Sequence, residues 1–126
     1  SLGCGGGGLE RHGLQLQIAE KFDAFDVSRD ALQLAKEEAQ KSGQLESINY
    51  TVANLNKLEF AENSYDAVFA SQSVHHIEAL EHYMQQVGLC LKSGGYFIIN
   101  EFVGPNQFQW TDVQLAHCQR LLEEIP

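Results

Sequence analysis

The segment SLGCGGGGLERHGL, residues 1–14, carries five glycines in its first eight positions. Such a run has two readings. It is a flexible linker or cloning scar, or it is the tight loop that joins a strand to a helix in an α/β sheet. The residues that follow decide between them. FDAFDV (22–27) reads as a short strand, and its acidic end, Asp26, comes 23 residues after Gly3. An acid about 20 residues beyond the loop is the spacing of a strand–loop–helix–strand unit, and it argues for the loop.

The chain beyond alternates apolar runs with helical periodicity. SRDALQLAKEEAQKSG (28–43) predicts a helix, with Ser28 as N-cap, Asp30 at the positive end of the dipole and Gly43 as the stop. INYTVA (48–53) predicts a strand, alternating and β-branched. NLNKLEFAENS (54–64) is too short and polar for a crossover helix. YDAVFAS (65–71) is apolar on both faces, as in a strand covered on both sides. In IEALEHYMQQVGLCLKSGG (77–95), Leu80, Tyr83, Met84, Val87 and Leu91 recur at helical spacing, and Gly94-Gly95 form the expected end. YFIINEF (96–102) predicts a strand and GPNQ (104–107) a loop. TDVQLAHCQRLLEEI (111–125) predicts a last helix, with Thr111 and Gln114 as its capping box. This order predicts an α/β fold with a parallel sheet.

The glycines have separate mechanical tasks. The first permits a tight turn, the second lets a ligand approach the backbone, and a third permits close packing of helix on strand. Gly3, Gly5 and Gly7 give G-x-G-x-G, while Gly3, Gly5 and Gly8 give G-x-G-x-x-G; the spacing does not choose. Asp26 then suits the adjacent hydroxyls of a ribose, because a carboxylate has two acceptor oxygens. Asp23 is a competing candidate, but it lies mid-strand. Only Ser1 and Leu2 stand before the loop, where a central strand belongs. The expectation is a piece of a longer protein, lacking most of its first strand and its C-terminal strands. Alone, it is expected to fold poorly and to bind its ligand weakly.

Composition narrows the partners. With 44% hydrophobic and 20% charged residues the chain is globular rather than disordered. Its formal net charge of −9 repels phosphate backbones, which disfavours nucleic acid. No apolar run approaches the ~18 residues of a membrane span. Cys4, Cys90 and Cys118 are scattered and include no C-x-x-C, so they suggest neither a disulfide framework nor a zinc site. A reducing, cytoplasmic setting fits them.

LGCGGG, FDVS, VANLNKLEF, YDAVFASQSVHHI and LKSGGYFIINEF occur in that order across most of the chain. Together they resemble the class I S-adenosylmethionine-dependent methyltransferases of the small-molecule type. The resemblance implies a Rossmann-like doubly wound sheet, mostly parallel, with residues 1–126 as one partial S-adenosylmethionine-binding domain. It implies that Gly3, Cys4 and Gly5, with Gly7 in the same loop, line the methionine and ribose part of the cofactor. Asp26 would hold the ribose hydroxyls, with Val27 beside the adenine. Asn54 and Leu55 would meet the adenine edge, and Ser71 and Gln72 the methionine end and the substrate. The family often has an acid where this chain has Ser1, and usually Asp where this chain has Asn54. NEFVGPNQFQW resembles the substrate-side wall of a subgroup, which makes Glu101, Gln109 and Trp110 candidate substrate contacts. The alternative makes Trp110 core and leaves Glu101 and Gln109 solvated.

Methyl transfer from a sulfonium is an in-line displacement that requires no metal and no covalent nucleophile; the protein orients and encloses. A base is needed only where the acceptor loses a proton. His75 and His76 are the candidates, since histidine titrates near neutrality; alternatively they are a helix-entry pair, one packed and one exposed. Cys4 sits near a helix start, which lowers a thiol pKa, but no partner base is evident and a nucleophilic role is rejected. The small-molecule acceptor is unspecified. The rival functions are a nicotinamide-dependent oxidoreductase and a methyltransferase-like module that binds without turnover.

Overall fold

Alternation builds the first strand. Phe22 and Ala24 bury themselves on one face of β1 (Phe22–Asp26), while Phe25 packs toward the other. The computed structural model describes residues 1–104 and 109–124. In chain order the remaining elements are α1 (Gly8–Gln15), α2 (Arg29–Lys41), β2 (Ile48–Val52), β3 (Tyr65–Ser71), α3 (Leu80–Cys90), β4 (Leu91–Asn100) and α4 (Asp112–Glu124), with α1 preceding β1. GPNQ lies mostly outside the described residues, as does Ile125 at the expected end of α4.

The strands form two parallel pairs, β1 with β2 and β3 with β4. Ser1 and Leu2 lie between the pairs and bond to both. Leu2 N–H donates to Phe69 on β3 (2.8 Å), and Phe25 N–H on β1 donates to the Ser1 carbonyl (3.0 Å). Leu2 is only 3% exposed and packs with Val68, Tyr83, Val87 and Cys90, so α3 covers this face. On the opposite face Leu32, Ala35 and Ala39 of α2 pack against Phe22, Ala24, Ile48 and Tyr50. Phe69 on β3 joins that second cluster while Val68 joins the first. A strand with apolar neighbours on both faces is therefore what β3 is, and the fold is α/β with helices on both sides of parallel strands.

Several local expectations hold. Ser28 Oγ accepts from Ala31 N–H (3.2 Å) at the start of α2, and Gly43 just beyond it takes φ +71°. Thr111 and Gln114 form the reciprocal capping box of α4, with Gln114 N–H to Thr111 Oγ1 at 3.3 Å and Thr111 N–H to Gln114 Oε1 at 2.9 Å. α4 buries none of its residues.

One boundary differs. The helix expected over 77–95 runs only from Leu80 to Cys90, and Leu91 already belongs to β4. Its last carbonyls need no glycine cap, because the turn before β3 takes them. Asn63 N–H donates to Leu89 and Ser64 N–H to Cys90, at 3.0 and 2.8 Å. Leu91 then pairs with Tyr65, and Gly94-Gly95 fall in an irregularity before the register resumes at Tyr96 opposite Ala67. The front of the helix also starts late. Glu78 and Ala79 N–H both donate to Asn56 Oδ1 at 2.8 Å, so a side chain from the loop after β2 closes this end.

Leu2 holds the pairs together, so Leu2→Ala is expected to destabilise the complete protein by about 3 kcal/mol. Leu34→Ala, at a half-exposed position of α2, is expected to stay within about 0.5 kcal/mol. Denaturant unfolding of both variants checks the contrast; equal midpoints would remove Leu2 from this role.

Candidate functional site

A cleft of about 610 Å³ opens where β1, β2 and β3 end. Strand carboxyl ends are where ligands bind in open parallel sheets. Gly3 and Gly5 form one wall, Asp26 and Val27 the next, Asn54 and Leu55 a third, and Gln72 and His76 the far side. Eight of the residues expected from sequence thus meet around one space. Asn56, Ser73 and Ile77 line it as well.

Asp26 organises the wall it belongs to. Its Oδ2 accepts from Gly5 N–H and its Oδ1 from Ser28 N–H, both at 2.8 Å. One carboxylate therefore ties the glycine loop to the start of α2. Each oxygen retains further acceptor capacity. Asp23, the competing acid, accepts from Asn49 Nδ2 (3.1 Å) and from the Tyr65 hydroxyl (2.8 Å), away from the cleft. That bond and burial together push the Tyr65 phenol well above its ordinary value, burial most.

The two glycine spacings are distinguished here. Gly7 takes φ +70°, and a Cβ on it would stand 2.6 Å from Tyr50 Oη and 2.9 Å from Ala35 Cβ. A Cβ on Gly8 would meet nothing within 4 Å. Gly3, Gly5 and Gly7 are therefore the constrained set. Gly7 answers to helix packing against α2 and β2 and does not line the cleft. A Cβ on Gly5 would meet nothing within 4 Å, so the backbone is open beside the cleft.

Two other expected residues, Cys4 and Ser71, sit differently, and Asn54 is already partly engaged. The Cys4 side chain packs against the Phe22–Ala24–Tyr50 core instead of lining the cleft. Burial, followed by the charges of Glu10 and Asp26, pushes its thiol up to about 12, opposite to the lowering expected near a helix start. Ser71 Oγ accepts from Asn100 Nδ2 (3.2 Å) at the end of the β3–β4 pair. Asn54 lines the cleft, but its Oδ1 already accepts from Asn56 N–H (3.0 Å).

Glu101 is neither solvated nor free. Its Oε1 lies 2.8 Å from His75 Nδ1, and its Oε2 accepts from Val74 N–H (2.9 Å) and His75 N–H (3.4 Å). The bond to His75 holds its carboxyl below the ordinary value. The rings of His75 and His76 stand 4.0 Å apart between centroids. Gln109 and Trp110 are exposed, which corrects the alternative of Trp110 as core, and neither lines the cleft among the described residues.

Sequence reasoning missed Asn56, Ser73 and Glu10. Ser73 Oγ donates to the Leu2 carbonyl (2.7 Å) beneath the loop. Glu10 is fully buried in α1; its Oε1 accepts from the Ser1 hydroxyl, and its Oε2 has no protein partner among the described residues. A carboxylate thus stands beside residue 1, although residue 1 is itself a serine. Nothing in a one-letter pattern links Ser1 to Glu10; the return of α1 under the loop does.

Parallel strands, a glycine loop and an acid at the next strand end define a nucleotide-cofactor cleft of the doubly wound α/β class. A methyltransferase-domain family model matches residues 1–99, and the chain belongs to that family. It is 27% identical over 89 residues to the demethylmenaquinone methyltransferase of Bacteroides fragilis, covering 71% of this chain and 36% of that protein. It is 29% identical over 120 residues to the human mitochondrial arginine-hydroxylase NDUFAF5, covering 94% of this chain and 33% of that protein. The S-adenosylmethionine-dependent methyltransferase structure from Mesorhizobium loti superposes with a TM-score of 0.69 at 28% identity, covering 78% of this chain and 43% of that one. The chain spans about a third of the length of these curated relatives.

Gly7→Ala is expected to cost about 2–3 kcal/mol, from the left-handed backbone and the close approach together, whereas Gly8→Ala is neutral or slightly stabilising. Thermal unfolding of the two variants separates the spacings, and the reverse order would reinstate Gly8. At pH 8, iodoacetamide is expected to label the exposed Cys118 and to leave Cys4 intact. Mass spectrometry of the tryptic peptides reads this directly, and labelling of Cys4 as fast as Cys118 would contradict the raised thiol.

Proposed function

We propose that the protein transfers a methyl group from S-adenosylmethionine to a small-molecule acceptor. The observation that carries this reading is the pairing of an open Gly5 backbone with the Asp26 carboxylate at one cleft. The residues present fit the cofactor. Asp26 has acceptor capacity for two adjacent ribose hydroxyls. Val27 and Leu55 offer apolar surface to the flat face of a base, and the Gly3–Gly5 backbone offers a wall that side chains do not obstruct. Gln72 and His76 border the side away from Asp26 and Val27.

When bound, the cofactor supplies an electrophilic methyl group on a sulfonium. The protein's part is orientation and shelter. Asp26 fixes the ribose end, and the same carboxylate keeps the loop from shifting through Gly5 N–H. His76 and Ile77 border the space left for an acceptor. His76, which lines that space, and His75, whose ring stands 4.0 Å from it, are the candidate proton acceptors. The acidic chain supports a small acceptor over a nucleic acid. The three free cysteines support a reducing cytoplasm. No helix among the described residues is long and apolar enough to cross a membrane.

Hydrogen bonds to a charged group contribute about 1.5–3 kcal/mol each. Asp26→Asn is therefore expected to weaken binding of S-adenosylhomocysteine by at least about tenfold in calorimetric titration of the complete protein. Unchanged affinity would remove Asp26 from the ribose. Binding of a nicotinamide dinucleotide in place of S-adenosylmethionine would reject the whole reading.

A further inference from the structure

We propose that the cleft reads the 6-position of its cofactor's purine with hydrogen-bond donors, the side-chain NH₂ groups of Asn54 and Asn56, and therefore admits a 6-oxopurine nucleoside in place of adenosine. This rests on the methyl-transfer reading above and goes beyond it in naming what the base wall recognises and which relative of the cofactor it takes.

An amide side chain carries an acceptor oxygen and a donor nitrogen, and its neighbours decide which way round it stands. Asn54 Oδ1 accepts from Asn56 N–H at 3.0 Å. A donor on that side requires the oxygen there, so Nδ2 is turned to the other side. Asn56 is held more firmly. Its Oδ1 accepts from Glu78 N–H and Ala79 N–H, both at 2.8 Å, and this engages both lone pairs. Reversing that amide would set its NH₂ against two donors and strip both amides ahead of α3 of their partner. Asn54 and Asn56 line the cleft on either side of Leu55 in the chain. Neither Nδ2 has a hydrogen-bond partner among the described residues. The side-chain oxygens of this wall are thus committed to the protein, and its NH₂ groups are not. The carboxylate of the cleft, Asp26, stands on the neighbouring wall and holds Gly5 and Ser28.

At the 6-position two common purines are opposites. Adenine carries an NH₂ donor there, whereas hypoxanthine, like guanine, carries an acceptor oxygen. A wall of NH₂ groups complements the oxygen directly. Against adenine it is left with the ring nitrogen beside the amine. A carboxylate at position 54 would behave in the reverse way, taking the amine and repelling the oxygen. Val27 and Leu55 offer the same apolar surface to either ring, and the ribose facing Asp26 is common to both nucleosides. Selection between the two bases therefore falls to Asn54 and Asn56.

S-adenosylhomocysteine and its deaminated form, S-inosylhomocysteine, differ only at the 6-position and in the ring proton that accompanies the 6-oxygen. The ratio of their dissociation constants, measured by calorimetric titration of the complete protein, isolates this contact. The wild type is expected to bind the deaminated form at least as tightly as S-adenosylhomocysteine. Asn54→Asp keeps an oxygen for Asn56 N–H and places a second oxygen where Nδ2 stood. It is expected to shift the ratio toward S-adenosylhomocysteine by about tenfold. Asn56→Asp still satisfies the two amides ahead of α3 and is expected to shift the ratio the same way. A wild type that binds S-adenosylhomocysteine but discriminates against the deaminated form by about tenfold or more would overturn the proposal. An unchanged ratio in either aspartate variant would do the same. Binding of neither compound would instead overturn the methyl-transfer reading, and the proposal with it.

Discussion

Everything at the cleft depends on how three consecutive amides are held. Leu2 N–H bonds to Phe69 on β3, and Gly3 and Cys4 N–H both bond to the Phe25 carbonyl on β1, at 2.8, 2.8 and 3.0 Å. The chain leaves the sheet at this point, and two strands fix its direction from either side. Buried amides must find partners, so these bonds are costly to give up. Ser73 Oγ then donates to the Leu2 carbonyl. The loop consequently begins from an over-determined position, and the glycines after it need only turn.

The same economy appears at Asp26. Its carboxylate accepts the Gly5 amide from the loop and the Ser28 amide from the start of α2. It is an internal clamp before it is a ligand contact. Ser28 in turn caps α2 through its hydroxyl, and α2 buries Ala35 where a Cβ on Gly7 would collide. Loop, acid, cap and helix form one closed circuit of constraints. A change at any of them moves the others, so binding and stability are coupled at this corner. The orphaned Oε2 of Glu10 and the hydroxyl of Tyr50, both buried without protein partners among the described residues, lie behind the same loop. Buried polar atoms of this kind are expensive, and they stay only where the surrounding packing enforces them.

What can be read from sequence follows from what has a period. β3 is legible because YDAVFAS is apolar on both faces, and α2 because its buried positions and its cap recur at helical spacing. Asp26 is legible because a glycine loop followed at a fixed distance by a strand with an acidic end is a local signature of this fold class. The end of α3 is not legible. Gly94-Gly95 look like a stop, yet the amides of Asn63 and Ser64 terminate the helix sooner from a distant turn. Asn56 on the amides just ahead of α3, and Glu10 beneath Ser1, are contacts between segments with no local signature. The choice between Gly7 and Gly8 also needs Tyr50 and Ala35, which belong to other elements.

This division has a chemical meaning. The donor side of the cleft is made mostly of backbone, with one carboxylate, and backbone geometry is written in glycine spacing. The far rim is made of side chains that meet only after folding: His75 and His76 from the turn after β3, and Glu101 just beyond β4. A fold defines where such groups can be brought together but not which ones are present. In isolation Glu101 is a wall residue and His75 a lone histidine; only their 2.8 Å contact gives the imidazole a direction. That contact joins the turn after β3 to the residue that follows β4, so it exists only once the two strands are paired.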